Sequence, residues 1–187
     1  FVFSAEDLIA EGGMGWVYQG IQTDAANRKV AIKVPKNTTA AQLFTAEWSR
    51  LASIQDENIV PIYGSGEWVG PDGETRPYFA MPFLNGKTLQ EAAPDPAKIA
   101  ETVKVLRQVC SGLAAIHEQQ IVHCDLKPSN IFVQKKGSVL IIDFGLAISV
   151  MDGPVQGRGG TTRYKSPEQI RDEKIEYSSD LFSLGVI

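Results

Sequence analysis

His123-Cys124-Asp125-Leu126-Lys127-Pro128-Ser129-Asn130 is the stretch from which the rest of this chain is best read. Within eight residues it holds a carboxylate, an amine and an amide, directly after the apolar pair Ile121-Val122. Further on, a second apolar run, Leu140-Ile141-Ile142, leads into Asp143-Phe144-Gly145. A carboxylate at the end of a buried strand, followed by glycine, suits a metal ligand. Asn130 and Asp143 together offer oxygen donors of the kind Mg2+ takes. Asp125 is then free to orient a hydroxyl and accept its proton. Turn chemistry explains Asp125 and Asn130 when each is taken singly, since both residue types favour turns. Asp143 could likewise close an ordinary strand. Jointly, those bland readings must produce several fixed spacings by chance.

Upstream, residues 29–34 are rich in β-branched types and predict a strand. Ala31 and Lys33 are two apart and share one face, while Val30, Ile32 and Val34 face the other way. A lysine in so apolar a strand either reaches water at a sheet edge or points at something anionic. A helix predicted over roughly 39–54, with Thr38 or Thr39 as its cap, supplies a second clue. At about 100° per residue, Leu43, Phe44, Leu51 and Ile54 form one apolar arc, and Glu47 falls in its middle. A carboxylate there is costly without a partner, and Lys33 is the natural one. Ahead of both, Ala10-Glu11-Gly12-Gly13-Met14-Gly15 approximates Gly-x-Gly-x-x-Gly with alanine first. Glycines let backbone N–H groups approach a phosphate closely. Trp16-Val17-Tyr18 follows as a strand pattern, where a dinucleotide site calls for a helix. A hairpin flap over phosphates fits better, and Ala10 is compatible with it if its φ stays negative.

Strands are also expected at 2–9, 16–21, 59–68, 77–83, 121–122, 131–133 and 139–142, with a polar loop at Gly70-Pro71-Asp72-Gly73. Thr88 and Glu91 have capping-box spacing. Asp95-Pro96 opens a helix carrying Ile99, Val103, Leu106, Cys110, Leu113 and His117 on one stripe, so Cys110 and His117 read as core. A last helix is expected to begin near Ser179. Strands first and helices later give an α+β class with two lobes, 1–84 and 85–187, and a hinge near 83–86. The 187 residues are 43 % hydrophobic, enough for a real core. A net charge of −4 and no run of Lys or Arg argue against nucleic acid as a partner. No stretch reaches membrane-spanning length, and two cysteines fit a reducing compartment, so a cytoplasmic location is expected. Oligomeric state is left open.

At these residues the chain resembles a eukaryotic-like Ser/Thr protein kinase catalytic domain of the kind found in bacteria. The resemblance runs from about Leu8 to Ile187 and rests on motifs in the family's order: the glycine loop with Val17, Val30-Ala31-Ile32-Lys33, Glu47, His123-x-Asp125 to Asn130, and Asp143-Phe144-Gly145. Gly160-Thr161-x-x-Tyr164, Ser166-Pro167-Glu168 and Ser179-Asp180 complete the set. It implies a two-lobed kinase fold: an N-lobe antiparallel sheet with one helix, and a helical C-lobe incomplete at Ile187. It also implies ATP and Mg2+ as cofactors and a protein substrate with a Ser or Thr acceptor. Carried over residue by residue, Lys33 holds the α- and β-phosphates and pairs with Glu47. Asp125 is the catalytic base, Lys127 steadies the γ-phosphate, and Asn130 and Asp143 bind Mg2+. Ala10, Gly12, Gly13 and Gly15 cover the phosphates. Met81 gates the adenine pocket, Pro82 offers its carbonyl, and Leu84 supplies the hinge N–H. Val17, Ala31 and Phe132 sandwich the adenine ring.

Three departures qualify the likeness. Ala10 replaces a glycine, Ser166 replaces an alanine, and Cys124 replaces an arginine that ordinarily pairs with a phosphate on the activation loop. A thiol cannot make that charge-assisted pair. No Ser, Thr or Tyr occurs between Val150 and Gly160, so activity is expected not to depend on phosphorylation of that stretch. The partner ordinarily met by Glu168 lies in a later helix, and Leu181, Phe182, Leu184 and Val186 are expected to be poorly covered. A nucleotide-binding scaffold without turnover and a small-molecule phosphotransferase are the competing readings. The full set of polar residues disfavours the first, and the Gly160-Thr161 and Ser166-Pro167-Glu168 platform disfavours the second.

Overall fold

Period-two alternation in the first third of the chain builds one antiparallel sheet. The computed structural model describes residues 1–12, 15–36, 41, 45, 51–52, 54–92, 99–150 and 161–187. They fall into two units, Phe1–Ser53 with Val60–Leu84, and Ile54–Ile59 with Asn85–Ile187. The first unit holds β1 (Leu8–Glu11), β2 (Gly15–Gln22), β3 (Arg28–Pro35), β4 (Gly64–Val69) and β5 (Thr75–Pro82). Their order in the sheet is β1-β2-β3-β5-β4. The β-branched strand is therefore central, which suits a run with so few polar side chains.

Val30, Ile32 and Val34 are fully buried and pack with Tyr18 and Ala80. Phe1, Phe3, Trp16, Tyr63, Trp68 and Tyr78 close over this cluster. The rings of Phe3 and Tyr18 both lie 5.3 Å from that of Trp68. Burying each of these aliphatic side chains contributes roughly 1.5–3 kcal/mol, so one face of β3 anchors the unit. β2 runs close beside it: a Cβ on Gly15 would meet the Val34 carbonyl oxygen at 2.3 Å, so only glycine fits there.

Two predicted strands are shorter than the sequence suggests. The 2–9 strand is reduced to β1, because Ser4 and Asp7 turn the chain into a 3-10 helix, Ala5–Asp7. The Ser4 N–H donates to Asp7 Oδ2 (2.7 Å), and that local bond competes with strand pairing. The 59–68 strand begins only at Gly64. Pro61 lacks an N–H to pair, and Ile59 instead bridges Ile141 in the second unit. Asn58 strengthens that attachment, accepting from the Ile141 N–H (2.8 Å) and donating to the Val139 carbonyl (2.9 Å). In the predicted 39–54 helix, Ala41, Thr45 and Leu51 are helical. Its proposed cap, Thr38 or Thr39, lies outside the described residues, as does Asp95-Pro96.

The second unit contains β6 (Gly86–Thr88), α1 (Leu89–Ala92), α2 (Ile99–Glu118), β7 (Ile121–Val122), β8 (Ile131–Gln134), β9 (Val139–Ile141), β10 (Ile148–Ser149), α3 (Pro167–Ile170) and α4 (Tyr177–Val186). Two small sheets form, β6-β8-β9 and β10-β7. The capping box at the start of α1 is present. Glu91 accepts from the Thr88 N–H (2.8 Å) and hydroxyl (2.9 Å), and the Glu91 N–H returns to Thr88 Oγ1 (3.2 Å). The bond from the Thr88 N–H holds the Glu91 carboxyl below its usual range.

α2 buries only part of the predicted stripe, Leu113 fully and Leu106 and His117 by half. Val109, Gly112, Leu113 and Ile116 are inside, whereas Ile99, Val103 and Cys110 are exposed. The reason is a close approach at Gly112: a Cβ there would lie 3.0 Å from Ile141 Cδ1 and 3.1 Å from the Asn58 carbonyl oxygen. That approach turns the helix so that 109, 112, 113 and 116 face β9. Cys110 is thus a surface thiol and not core. α4 starts at Tyr177, with Glu176 at its N-cap position, two residues before the expected start. Leu181, Phe182 and Val186 are exposed, and Leu184 is half-buried.

Candidate active site

In the second unit the geometry grows from β7. Its pairing with β10 brings Ile121 and Val122 into the core, and the chain then leaves the strand through His123. The His123 ring is fully buried, with its centroid 4.7 Å from that of Phe144. Its Nδ1 accepts from the Asp125 N–H at 3.3 Å, so the ring proton belongs to Nε2. Packing and backbone bonding are thus what His123 does.

Asp125 stands at the centre of a polar cluster. Lys127 Nζ lies 2.6 Å from Asp125 Oδ2, and the Thr161 N–H donates to Asp125 Oδ1 at 3.1 Å. Lys127 Nζ also reaches Thr161 Oγ1 at 3.2 Å. Asn130 is buried, and its Nδ2 donates to the Asp125 carbonyl (2.9 Å) and more weakly to Asp125 Oδ2 (3.4 Å). With the amide nitrogen committed inward, Asn130 Oδ1 is the atom left to meet a cation. The Asn130 carbonyl accepts from the Ile142 N–H at 2.9 Å, which brings it beside the residue preceding Asp143. Asp143 itself sits at φ 66°, a left-handed backbone that is uncommon for a residue with a Cβ. Among the described residues no group of three or more His, Cys, Asp and Glu is placed to hold a metal. The donor chemistry is an amide oxygen and a carboxylate, both hard, and it fits Mg2+ better than a softer ion.

The loop is held from behind by α4. Asp180 is fully buried, and its carboxylate accepts from the His123 N–H (2.9 Å) and the Cys124 N–H (3.0 Å). The same carboxylate meets His117 Nε2 at 2.9 Å. His117 is therefore half-buried and hydrogen-bonded. In the sequence Asp180 is only a motif position. A signal was present, since a lone carboxylate heads the run Leu181-Phe182-Ser183-Leu184 and needs buried donors. Glu168 accepts from the Ser179 hydroxyl. Burial pushes its carboxyl up, but that hydroxyl and its neighbours outweigh burial and leave it lowered.

In the first unit, Lys33 is buried in the central strand and not at a sheet edge, which removes the edge reading. It stands opposite Val17 in β2 and Phe79 in β5, with Nζ 5.6 Å from the Phe79 ring centroid. Ala31 pairs with Met81, and Val30 with Pro82. Met81, Pro82 and Leu84 are half-buried. β1 and β2 form the expected hairpin, with Ala10 opposite Val17 and the Gly12 N–H donating to the Gly15 carbonyl at 2.9 Å. Ala10 is not among the residues of positive φ. Phe132 belongs to the second unit, in β8 opposite Thr88 and Leu140. Glu47 and Gly13 lie outside the described residues.

Residues 3–187 match the protein kinase domain family. The chain is 35 % identical to the serine/threonine-protein kinase PknL of Mycobacterium tuberculosis, over 96 % of this chain and 46 % of that protein. It is 34 % identical to the probable serine/threonine-protein kinase pknA2 of Bifidobacterium longum, over 96 % of this chain and 25 % of that protein. For the serine/threonine-protein kinase PknA of Corynebacterium glutamicum the figures are 33 %, 96 % and 40 %. The chain spans between a quarter and just under half the length of these relatives. With the family match covering nearly every residue, the chain belongs to the protein kinase domain family.

Proposed function

We propose that this domain transfers the γ-phosphoryl group of ATP to Ser or Thr hydroxyls of protein substrates. One observation carries the reading: the Asp125 carboxylate is flanked by the Lys127 ammonium on one oxygen and the Thr161 N–H on the other. Such a carboxylate can orient an acceptor hydroxyl and take its proton as the oxygen attacks phosphorus. The new O–P bond forms while the bond from phosphorus to the β,γ-bridging oxygen breaks, and ADP leaves. Lys127 neutralises charge on the transferring group. Asn130 Oδ1 and Asp143 are the donors for Mg2+, which when bound offsets charge on the phosphates. Lys33 takes the α- and β-phosphates, and Ala10, Gly12 and Gly15 offer the backbone that covers them. Val17, Ala31 and Phe132 are the apolar residues given to adenine. Met81 gates it, and the Pro82 carbonyl and Leu84 N–H meet its edge. Among the described residues no helix is long and apolar enough to cross a membrane. The reading places the domain where ATP is, in the cytoplasm or on that side of a longer anchored protein.

Asp125→Asn tests the base. Labelled phosphate transfer from ATP to a basic protein is expected to fall about 10²- to 10⁴-fold, and chelation of Mg2+ is expected to stop it in the unsubstituted protein. ATP binding with no transfer by the unsubstituted protein would leave a nucleotide-binding scaffold instead. Cys124 is buried, with its Sγ directed at the Val122 carbonyl at 3.5 Å, and offers no charge to a phosphate. Phosphatase treatment is accordingly expected to leave the rate unchanged. A rate abolished by the phosphatase, and not altered in that respect by Cys124→Arg, removes this part of the reading.

A further inference from the structure

Cys124 occupies backbone that few side chains adopt, with φ at 65°. It immediately precedes Asp125, so its conformation sets where that carboxylate points. Both of its backbone polar groups are taken by side chains from much later in the chain. The N–H donates to Asp180 Oδ1 (3.0 Å), and the carbonyl accepts from Gln169 Nε2 (2.7 Å). Gln169 is itself oriented. Its Oε1 accepts from the Ser166 N–H at 3.0 Å, while Ser166 Oγ accepts from the Gln169 N–H at 3.4 Å. One end of the carboxamide faces an N–H and the other faces a carbonyl, so a single flip of the amide satisfies both. The segment leading into α3 also carries Thr161, whose N–H meets Asp125 Oδ1. Residues 161–169 thus grip Asp125 on its carboxylate and grip the residue before it on its carbonyl.

We propose that Gln169 is a positioning residue for phosphotransfer, its carboxamide pinning the Cys124 carbonyl to the first turn of α3 and so fixing the backbone that presents Asp125. The proposal rests on Asp125 being the base. It assigns Gln169 a role that a helix cap alone would not require, because a cap needs only the oxygen of the carboxamide. The Nε2 half is the part that reaches the catalytic loop.

Three measurements on the whole protein test it. Gln169→Leu removes both halves. Its kcat is expected to fall about 10- to 100-fold, with KM for ATP changed less than about twofold, since no nucleotide-facing residue is touched. Gln169→Glu keeps the oxygen that serves Ser166 but sets a second oxygen against the Cys124 carbonyl. Ionised, that oxygen repels the carbonyl; protonated, it donates to it. The ratio of variant to wild-type kcat is therefore expected to rise as pH falls from about 8 to about 6, because a carboxyl facing a carbonyl holds its proton to higher pH. A structural cap would give a flat ratio. The third readout needs no activity: alkylation of Cys124 by iodoacetamide, followed on its peptide by mass spectrometry, is expected to speed up in Gln169→Leu, while exposed Cys110 is unchanged. Full kcat in a folded Gln169→Leu overturns the proposal, as does a flat pH ratio in Gln169→Glu. If Gln169→Leu fails to fold, the Gln169→Glu profile decides. If the unsubstituted protein transfers no phosphate, the functional reading falls and Cys124 labelling alone judges the clamp, with an unchanged rate overturning it.

Discussion

Along β3, Val30, Ile32 and Val34 are held by apolar neighbours on either side. Along 121–130, His123, Cys124, Asp125 and Asn130 are held by N–H groups, carboxylates and carboxamides. The first arrangement is non-directional, since its energy scales with area removed from water and a slightly different side chain fills much the same space. The second is directional. Each bond is worth little net, yet each buried donor left without its acceptor costs its full desolvation. The proposed function uses both: a sheet that tolerates change while holding Lys33 in place, and a loop in which a strained backbone points a carboxylate in one direction. The polar region is accordingly expected to fail abruptly on single substitutions where the apolar region yields gradually.

The largest effect is expected at Asp180. Asp180→Ala leaves the His123 and Cys124 N–H groups without acceptors inside the core, and His117 Nε2 loses its partner as well. Two stranded backbone donors at about 1–3 kcal/mol each give a loss of about 2–6 kcal/mol, read as a lower denaturant midpoint. Phosphotransfer is expected to fall to background even in the fraction that folds, because Cys124 loses one of its two clamps. Asp180→Asn retains the shape and one acceptor oxygen and should fall between the two. A loss under about 1 kcal/mol with kcat intact would break the contrast between the regions.

How much of this was legible in the sequence follows the same division. The strand at 29–34 and the two faces of β3 were readable because side-chain direction alternates with a fixed period. The gathering of Asp125, Lys127 and Asn130 was readable because the bonds among the three are local, whereas those to Thr161 are not. The face of α2 was readable only in part: Leu113 is inside as expected, but 99, 103 and 110 are exposed while 109 and 116 are buried, and Gly112 meeting Asn58 and Ile141 decided that. Periodicity cannot supply that, since those contacts come from 54 residues upstream and 29 downstream by the numbering. The 2–9 strand failed for a local reason, the competition of Ser4 and Asp7 for the same backbone. Asp180 and Gln169 meet the catalytic loop across 56 and 45 residues. Burial logic of the kind applied to Glu47 reaches Asp180, an isolated carboxylate beside apolar neighbours. It does not reach Gln169, whose carboxamide in a short polar turn reads as surface until its partner is seen.

The smallest predicted effect sharpens the contrast from the apolar side. Ile32 is fully buried, and its side chain points into the aromatic cluster, away from the face that carries Ala31 and Lys33. Ile32→Val removes one methyl group from packing that includes Tyr18, Val34 and Ala80. The transfer and cavity costs together give about 0.5–1.5 kcal/mol, a modest drop in the denaturant midpoint. KM for ATP and kcat are expected to stay at wild-type values, because the register that sets Lys33 opposite Val17 and Phe79 is fixed by backbone pairing over the whole strand. Were this one-methyl change to alter KM for ATP severalfold at a small stability cost, packing on the outer face would be setting the position of Lys33. The sheet would then be as exacting as the loop, and the two regions would differ in the kind of force they use but not in how much change they tolerate.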